Sequence, residues 1–243
     1  MDYGTQKNVV PLADRGRLRH TPQPYGSSVN GLPLEVYGPV DGTADILIMS
    51  AVHGDECDTT VVLSEALRSV APGAIRNPVI LGVNPDGILR GTRCNANGVD
   101  LNRNLPTANW SPDSVLYRGH GQEHQEIVLG TGTAPASEPE TRALLELVGR
   151  LQPRAVVSLH APLGGVEDPE HKPLARWIAD QVRLPQVADV GYETPGSFGT
   201  WSLEQGINII TWELPAEPIT ELIASHAPVL RRLITGEGLP GEG

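Results

Sequence analysis

Short apolar runs recur along this chain, separated by polar and turn-forming stretches. Asp45–Val52 (DILIMSAV), Pro78–Val83 (PVILGV), Arg154–Leu159 and Ile207–Trp212 read as strands buried within a sheet. Leu34–Tyr37 and Val187–Val190 are shorter strand candidates. Between them, apolar residues fall at helical spacing. Val61, Val62, Leu63, Ala66, Leu67 and Val70 predict an amphipathic helix over Asp58–Val70. Further helices are expected from Ser137 to about Leu151, from Pro169 to about Val182 and from Ile219 to about Ile234. Ser137-Glu138-Pro139-Glu140 suits a helix start: serine can cap, proline tolerates the first turn and the acids favour the positive dipole end. Strands alternating with helices predict an α/β fold with a mixed, largely parallel central sheet and helices on both faces, in a single domain. Residues 1–32, polar and rich in Pro, Gly and Ser, are expected to form an N-terminal arm packed on a domain spanning 33–243. Asn84 to about Ala136 is expected to be mostly loop, and so long a loop in a compact domain is usually functional.

Three of the strand-like runs deliver a metal-binding or acid–base side chain at their carboxyl ends: His53, His160 and Glu213. In open α/β sheets that edge is where ligands bind. In His53-Gly54-Asp55-Glu56, a histidine and a glutamate three apart at a strand-to-helix junction can pinch one cation. His120-Gly121-Gln122-Glu123 repeats the spacing, but in a polar loop with no rigid element behind it. His53, Glu56 and His160 together supply three ligands, and three protein ligands plus water define an open, catalytic zinc site. Glu213 follows apolar residues, so a raised pKa is expected, which suits a general base. The segment Arg93–Asn104 holds two arginines and four asparagines among turn formers; arginine can grip a carboxylate or stabilise an oxyanion. Each piece also has a plainer reading: a capped helix start, a hydrogen-bonded strand-end histidine, a salt-bridged glutamate, an Asn/Gly turn. Their combination favours the catalytic one.

Composition narrows the classes. The 243 residues are 39% hydrophobic, enough for one large core, and carry a formal net charge of −11. With no Lys/Arg run, a nucleic-acid or anionic-membrane partner is not expected. No stretch approaches the roughly 18 consecutive apolar residues of a transmembrane helix, and Met1–Arg19 lacks the apolar core of a signal peptide. Two cysteines, Cys57 and Cys94, cannot form a disulfide framework, which points to a reducing cytoplasm.

The ordered set His53-x-x-Glu56, Asn84-Pro85-Asp86-Gly87, Arg93, Asp100-Leu101-Asn102-Arg103-Asn104, His160 and Glu213 resembles the zinc carboxypeptidases of the carboxypeptidase A type. The resemblance runs from about Ala51 to Leu214. Asn95–Asn104, Ser137–Thr141 and Gly191–Ser197 are similar to a bacterial branch of that family, the murein peptide amidases. The resemblance implies one zinc ion per chain, held by His53, Glu56 and His160, with Glu213 as general base and acid. It implies that Arg93, with Arg90 as the alternative, polarises the scissile carbonyl, and that Asn102 and Arg103 grip a substrate carboxylate. Tyr192 stands near the family's substrate-capping tyrosine, one residue beyond the position that an ungapped count from Glu213 reaches. Leu105 stands where the family often has an aromatic residue.

The implied reaction is hydrolysis of the γ-D-glutamyl–meso-diaminopimelate bond of L-Ala-γ-D-Glu-meso-diaminopimelate, in cytoplasmic recycling of cell-wall peptides, and a homodimer is compatible with it. Two other readings remain at this point. One is a zinc deacylase of N-acyl amino acids, of the aspartoacylase or succinylglutamate desuccinylase type. The other is a peptide-binding module without activity, which predicts a broken metal set or a missing base.

Overall fold

The computed structural model describes residues 18–42, 44–118, 126–189 and 194–240. His120 and Tyr192, both singled out by the sequence, lie outside the described residues. The described chain begins with an antiparallel hairpin of β1 (Gln23–Ser27) and β2 (Pro33–Val36). The sequence predicted only the second of these strands. β1 alternates too weakly to be read as one, and it is held by pairing and by packing against a later helix: any side chain on Gly26 would strike Ala143.

β3 (Ile46–Ser50) follows, and all five of its residues are buried. Next come α1 (Cys57–Arg68), the two-residue β4 (Val79–Ile80) and α2 (Pro85–Arg90). Leu101–Arg103 forms a single 3-10 turn, and β5 (Val115–Arg118) and β6 (Glu126–Leu129) pair antiparallel. The region from 84 to 136 is therefore less of a loop than expected. Its helix is short and its strands are local, so no long periodicity marks them. α3 (Pro139–Leu151), β7 (Ala155–His160), β8 (Leu163–Glu167), α4 (Pro173–Val182), β9 (Gln186–Val187), α5 (Phe198–Glu204), β10 (Asn208–Pro215) and α6 (Ile219–Thr235) complete the order. The sequence missed β8 and α5. Two glycines in Leu163-Gly-Gly-Val-Glu mask the strand, and seven residues are too few for α5 to show a helical period.

The main sheet runs β4-β3-β7-β10-β8-β9. β4, β3, β7 and β10 are mutually parallel, and β8 pairs antiparallel with β10. This mixed, largely parallel sheet carries helices on both faces. On one face Ile46, Ile48, Val157, Leu159, Ile210, Trp212 and Leu214 pack with residues of α1, α4 and α6. On the other, Leu47, Met49, Val156 and Ile209 pack with Leu144, Leu147, Val148 and Leu151 of α3 and Phe198 of α5. At roughly 1.5–3 kcal/mol for each fully buried Leu, Ile or Val side chain, these two layers fix the sheet and hence the spacing of what projects from its edge. No helix among the described residues is long and apolar enough to cross a membrane.

Candidate metal centre and active-site cleft

β3 ends at Ser50, and the chain then turns sharply through Ala51, whose φ of 50° is a strained value for an L residue. The turn carries His53 to the sheet edge, and α1 starts immediately after Glu56. Gly54 permits this path, because a Cβ there would collide with the backbone of Gly87 at the start of α2. Asn84 caps α2 by accepting from Gly87 N–H at 2.9 Å. Asn84 Nδ2 and Gly54 N–H both donate to the carbonyl of Arg93, at 3.1 and 3.2 Å. The loop bearing His53 and the segment bearing Arg93 are thus joined through backbone groups.

His160 is the last residue of β7, and the parallel register sets Glu213 of β10 directly beside it. One ligand atom from each of His53, Glu56 and His160 lies within 4.8 Å of the others. His53 Nδ1 is 2.7 Å from Glu56 Oε1, His160 Nδ1 is 3.1 Å from Glu56 Oε2, and the two Nδ1 atoms are 3.2 Å apart. Both imidazoles are buried. Two imidazole nitrogens and a carboxylate aimed at one point form a donor set suited to zinc, and it leaves coordination positions open. The residues present fit the metal.

Each of the remaining ring nitrogens has a polar neighbour on the side away from the donor set. His53 Nε2 lies 3.3 Å from Asp100 Oδ1, and His160 Nε2 lies 3.1 Å from Ser158 Oγ. Such partners fix the tautomer and ring orientation of a ligating histidine. Burial favours a neutral His53, but Glu56 and Asp100 outweigh it and push its pKa up to about 9. Burial also works against the Glu56 carboxylate, yet His53 and His160 hold it far below the usual range.

Asp100 joins two parts of the site. Its Oδ1 accepts from Asn102 N–H at 2.8 Å, and its Oδ2 accepts from Arg93 Nε at 3.1 Å. Burial would raise its pKa; His53 and Arg93 hold it well below the carboxylate range. Arg93 Nη1 donates to Glu56 Oε1 at 3.3 Å. The sequence assigned no role to Asp100, although it stands in the quoted motif two residues before Asn102; the structure sets it between His53, Arg93 and the Asn102 N–H.

Asn102 and Arg103 line the same cleft. Asn102 Oδ1 accepts from the Phe198 N–H at 2.8 Å, which orients the amide and leaves Nδ2 as its donor. Arg103 is buried, and its Nη1 donates to the Asn102 carbonyl at 2.7 Å. Gly196, with φ of 69°, lets the chain entering α5 lie against the Arg103 backbone, where a Cβ would clash. The structure thus brings His53, Glu56, Arg93, Asn102, Arg103, His160 and Glu213 into one cleft of about 340 Å³.

Glu213 remains off the donor set. Its Oε2 accepts from Leu163 N–H at 3.4 Å. Burial raises its pKa above the ordinary glutamate value, partly offset by His160. A shielded carboxylate of raised pKa in the same cleft as the donor set has the chemistry of a proton-transfer group.

A mixed α/β sheet with a His-x-x-Glu…His centre at its edge defines a metallohydrolase of the carboxypeptidase kind. The zinc carboxypeptidase family profile matches residues 19–162, and the chain belongs to that family of hydrolytic enzymes. It is 47% identical over 218 residues to murein peptide amidase A of Escherichia coli strain K12, a match covering 89% of each chain. It is 44% identical over 222 residues to murein peptide amidase A of Vibrio campbellii, covering 90% of this chain and 89% of that one. The crystal structure of a murein-tripeptide amidase from Escherichia coli O157 superposes with a TM-score of 0.88 at 42% identity, covering 96% of this chain and 98% of that one.

Proposed function

We propose that this protein is a murein peptide amidase that hydrolyses the γ-D-glutamyl–meso-diaminopimelate amide of L-Ala-γ-D-Glu-meso-diaminopimelate. It would do so with one zinc ion per chain, in the cytoplasm, during cell-wall recycling. The peptidase domain takes in β1 as well, since β1 pairs with β2 and packs on α3, so the expected boundary between residues 32 and 33 falls inside a hairpin. The observation that carries the reading is the pairing of Glu213 with His160 across β10 and β7, beside a three-donor set that leaves Glu213 uncoordinated. The similarity to murein peptide amidases over nine-tenths of the chain supports the substrate.

His53, Glu56 and His160 hold the metal, which supplies Lewis acidity to the scissile carbonyl and to water. Glu213 removes a proton from the attacking water and delivers it to the leaving amine. Arg93, fixed by Asp100, stabilises the negative charge that develops on the carbonyl oxygen. Asn102 and Arg103 grip the carboxylate next to the new amine, so binding energy remote from the reacting bond sets its position. The family resemblance assigns the substrate-capping role to Tyr192, which lies outside the described residues.

Metal analysis of the purified protein should return about one zinc per chain. Mass spectrometry of the tripeptide after incubation should show L-Ala-D-Glu and free diaminopimelate. An intact tripeptide in the presence of zinc-loaded protein would overturn the proposal, and turnover of N-acetylaspartate or N-succinylglutamate instead would redirect it to the deacylases.

A further inference from the structure

Two charged side chains lining the cleft, Glu167 and Asp189, have no part in this mechanism, and Glu167 is the one the sheet positions. Glu167 ends β8 and pairs with Thr211, just as Gly165 pairs with Glu213. Because alternate residues share a face, the cleft side of the sheet carries two successive rows. The first is His160, Glu213 and Gly165; the second, one step deeper, is Ser158, Thr211 and Glu167. Beyond them Ile209 also lines the cleft, so the space continues down β10 away from the metal set.

Glu167 is largely shielded and bonds to Thr211. No lysine or arginine pairs with it among the described residues. Burial, Glu213 and Asp189 raise its pKa, while the Thr211 bond and His160 lower it. A half-buried carboxylate with two others nearby is costly to ionise unless a cation reaches it. The arginines of the cleft belong to another wall: Arg93 is tied to Asp100, and Arg103 lies beside Asn102. The cleft therefore has an anion-reading wall and a cation-reading floor.

We propose that Glu167 reads the distal ammonium of the diaminopimelate side chain and so makes the enzyme selective for leaving groups with a side-chain amine. The inference rests on the substrate reading above. Two residues along a strand span roughly 6.7 Å, comparable to the reach of three methylenes and the amine-bearing carbon. With the α-carboxylate on Arg103 and the new amine near Glu213, the side chain extends along β10 toward Thr211 and Glu167.

The test compares three zinc-loaded reactions: L-Ala-γ-D-Glu joined to meso-diaminopimelate, to lysine, and to 2-aminopimelate, which keeps the distal carboxylate and lacks the distal amine. A hydrogen-bonded charge pair is worth about 10-fold or more in discrimination. The wild-type enzyme is therefore expected to favour both amine-bearing peptides over the aminopimelate peptide by at least that factor. Glu167→Gln should bring the three within about 3-fold of one another, mainly by raising KM for the amine-bearing peptides, with kcat and zinc content nearly unchanged. Equal rates on all three peptides with wild-type enzyme would overturn the inference, whatever the fate of any variant. So would a zinc-loaded Glu167→Gln enzyme that keeps the wild-type preference. If Glu167→Gln does not fold, Glu167→Asp takes its place: a smaller preference supports the inference, and an unchanged one overturns it. Failure of wild-type enzyme to cut the diaminopimelate peptide at all would instead remove the underlying substrate reading, and this inference with it.

Discussion

The two faces of β7 and β10 are built from the same strands at nearly the same depth, yet they follow opposite rules. On the face toward α1, α4 and α6, the alternating residues are Ala155, Val157 and Leu159 on one strand and Ile210, Trp212 and Leu214 on the other. On the face toward α3 and α5 the series begins apolar with Val156 and Ile209, then turns polar: Ser158 and His160, Thr211 and Glu213. Burial of polar groups costs free energy unless they find partners, and here Ser158 meets His160, Thr211 meets Glu167 and Glu213 accepts from the Leu163 N–H. One face holds the edge rigid while the other uses that rigidity to aim donor atoms to within a few ångströms. Stability and chemistry are thus divided between alternate residues of single strands.

The sharpest way to break this division is on the polar face. Glu213→Gln should leave zinc bound and reduce turnover by about 1000-fold or more, read from initial rates alongside metal content. In the unaltered enzyme, kcat/KM should fall as pH drops through a pKa above the usual 4.5 of glutamate, because protonation removes the base; in the Gln variant that limb should vanish.

On the apolar face, one residue away, Leu159→Ala should cost about 2–5 kcal/mol of stability. This is measurable by urea unfolding, with zinc stoichiometry and KM little changed in the folded protein. A loss of metal from that folded variant would show that the two faces are not separable.

Asp100→Asn should weaken zinc binding by about 10- to 100-fold in competition with a chelator, since it loosens both His53 and Arg93. Arg103→Ala should raise KM by about 10-fold or more while sparing kcat.

The smallest effect belongs to His226 of α6, whose ring centroid lies 5.5 Å from that of Trp212. Burial lowers its pKa from 6.5 to about 4. The unfolded chain binds this proton more readily, so His226 contributes stability above pH 6.5 that is lost as pH falls toward 4. His226→Leu should narrow the difference in Tm between pH 7 and pH 5.

Much of this was readable from the chain, for a physical reason. Runs such as DILIMSAV and AVVSLH bury both faces, so they read as largely apolar stretches and their ends mark the sheet edge. The residues at those ends proved to converge on one point. The misses share a cause as well. β8 carries Gly164 and Gly165, and Glu167 sits at its far end, so neither its strand character nor its place in the cleft shows in local sequence. β1 and α5 are held by partners distant in sequence, Ala143 for one and Asn102 for the other. Asp100 stood in a recognised motif, but its grip on His53 spans 47 positions, a relation that only folding reveals.

The contact of Gly54 with Gly87 has a practical corollary. Two bare backbones meet there, and the Arg93 carbonyl is clasped by Gly54 and Asn84 on either side. Residues 53–56 cannot be transplanted by themselves. Anyone grafting this cation-binding loop onto another scaffold would have to carry positions 84–93 along with it, as one inseparable cassette.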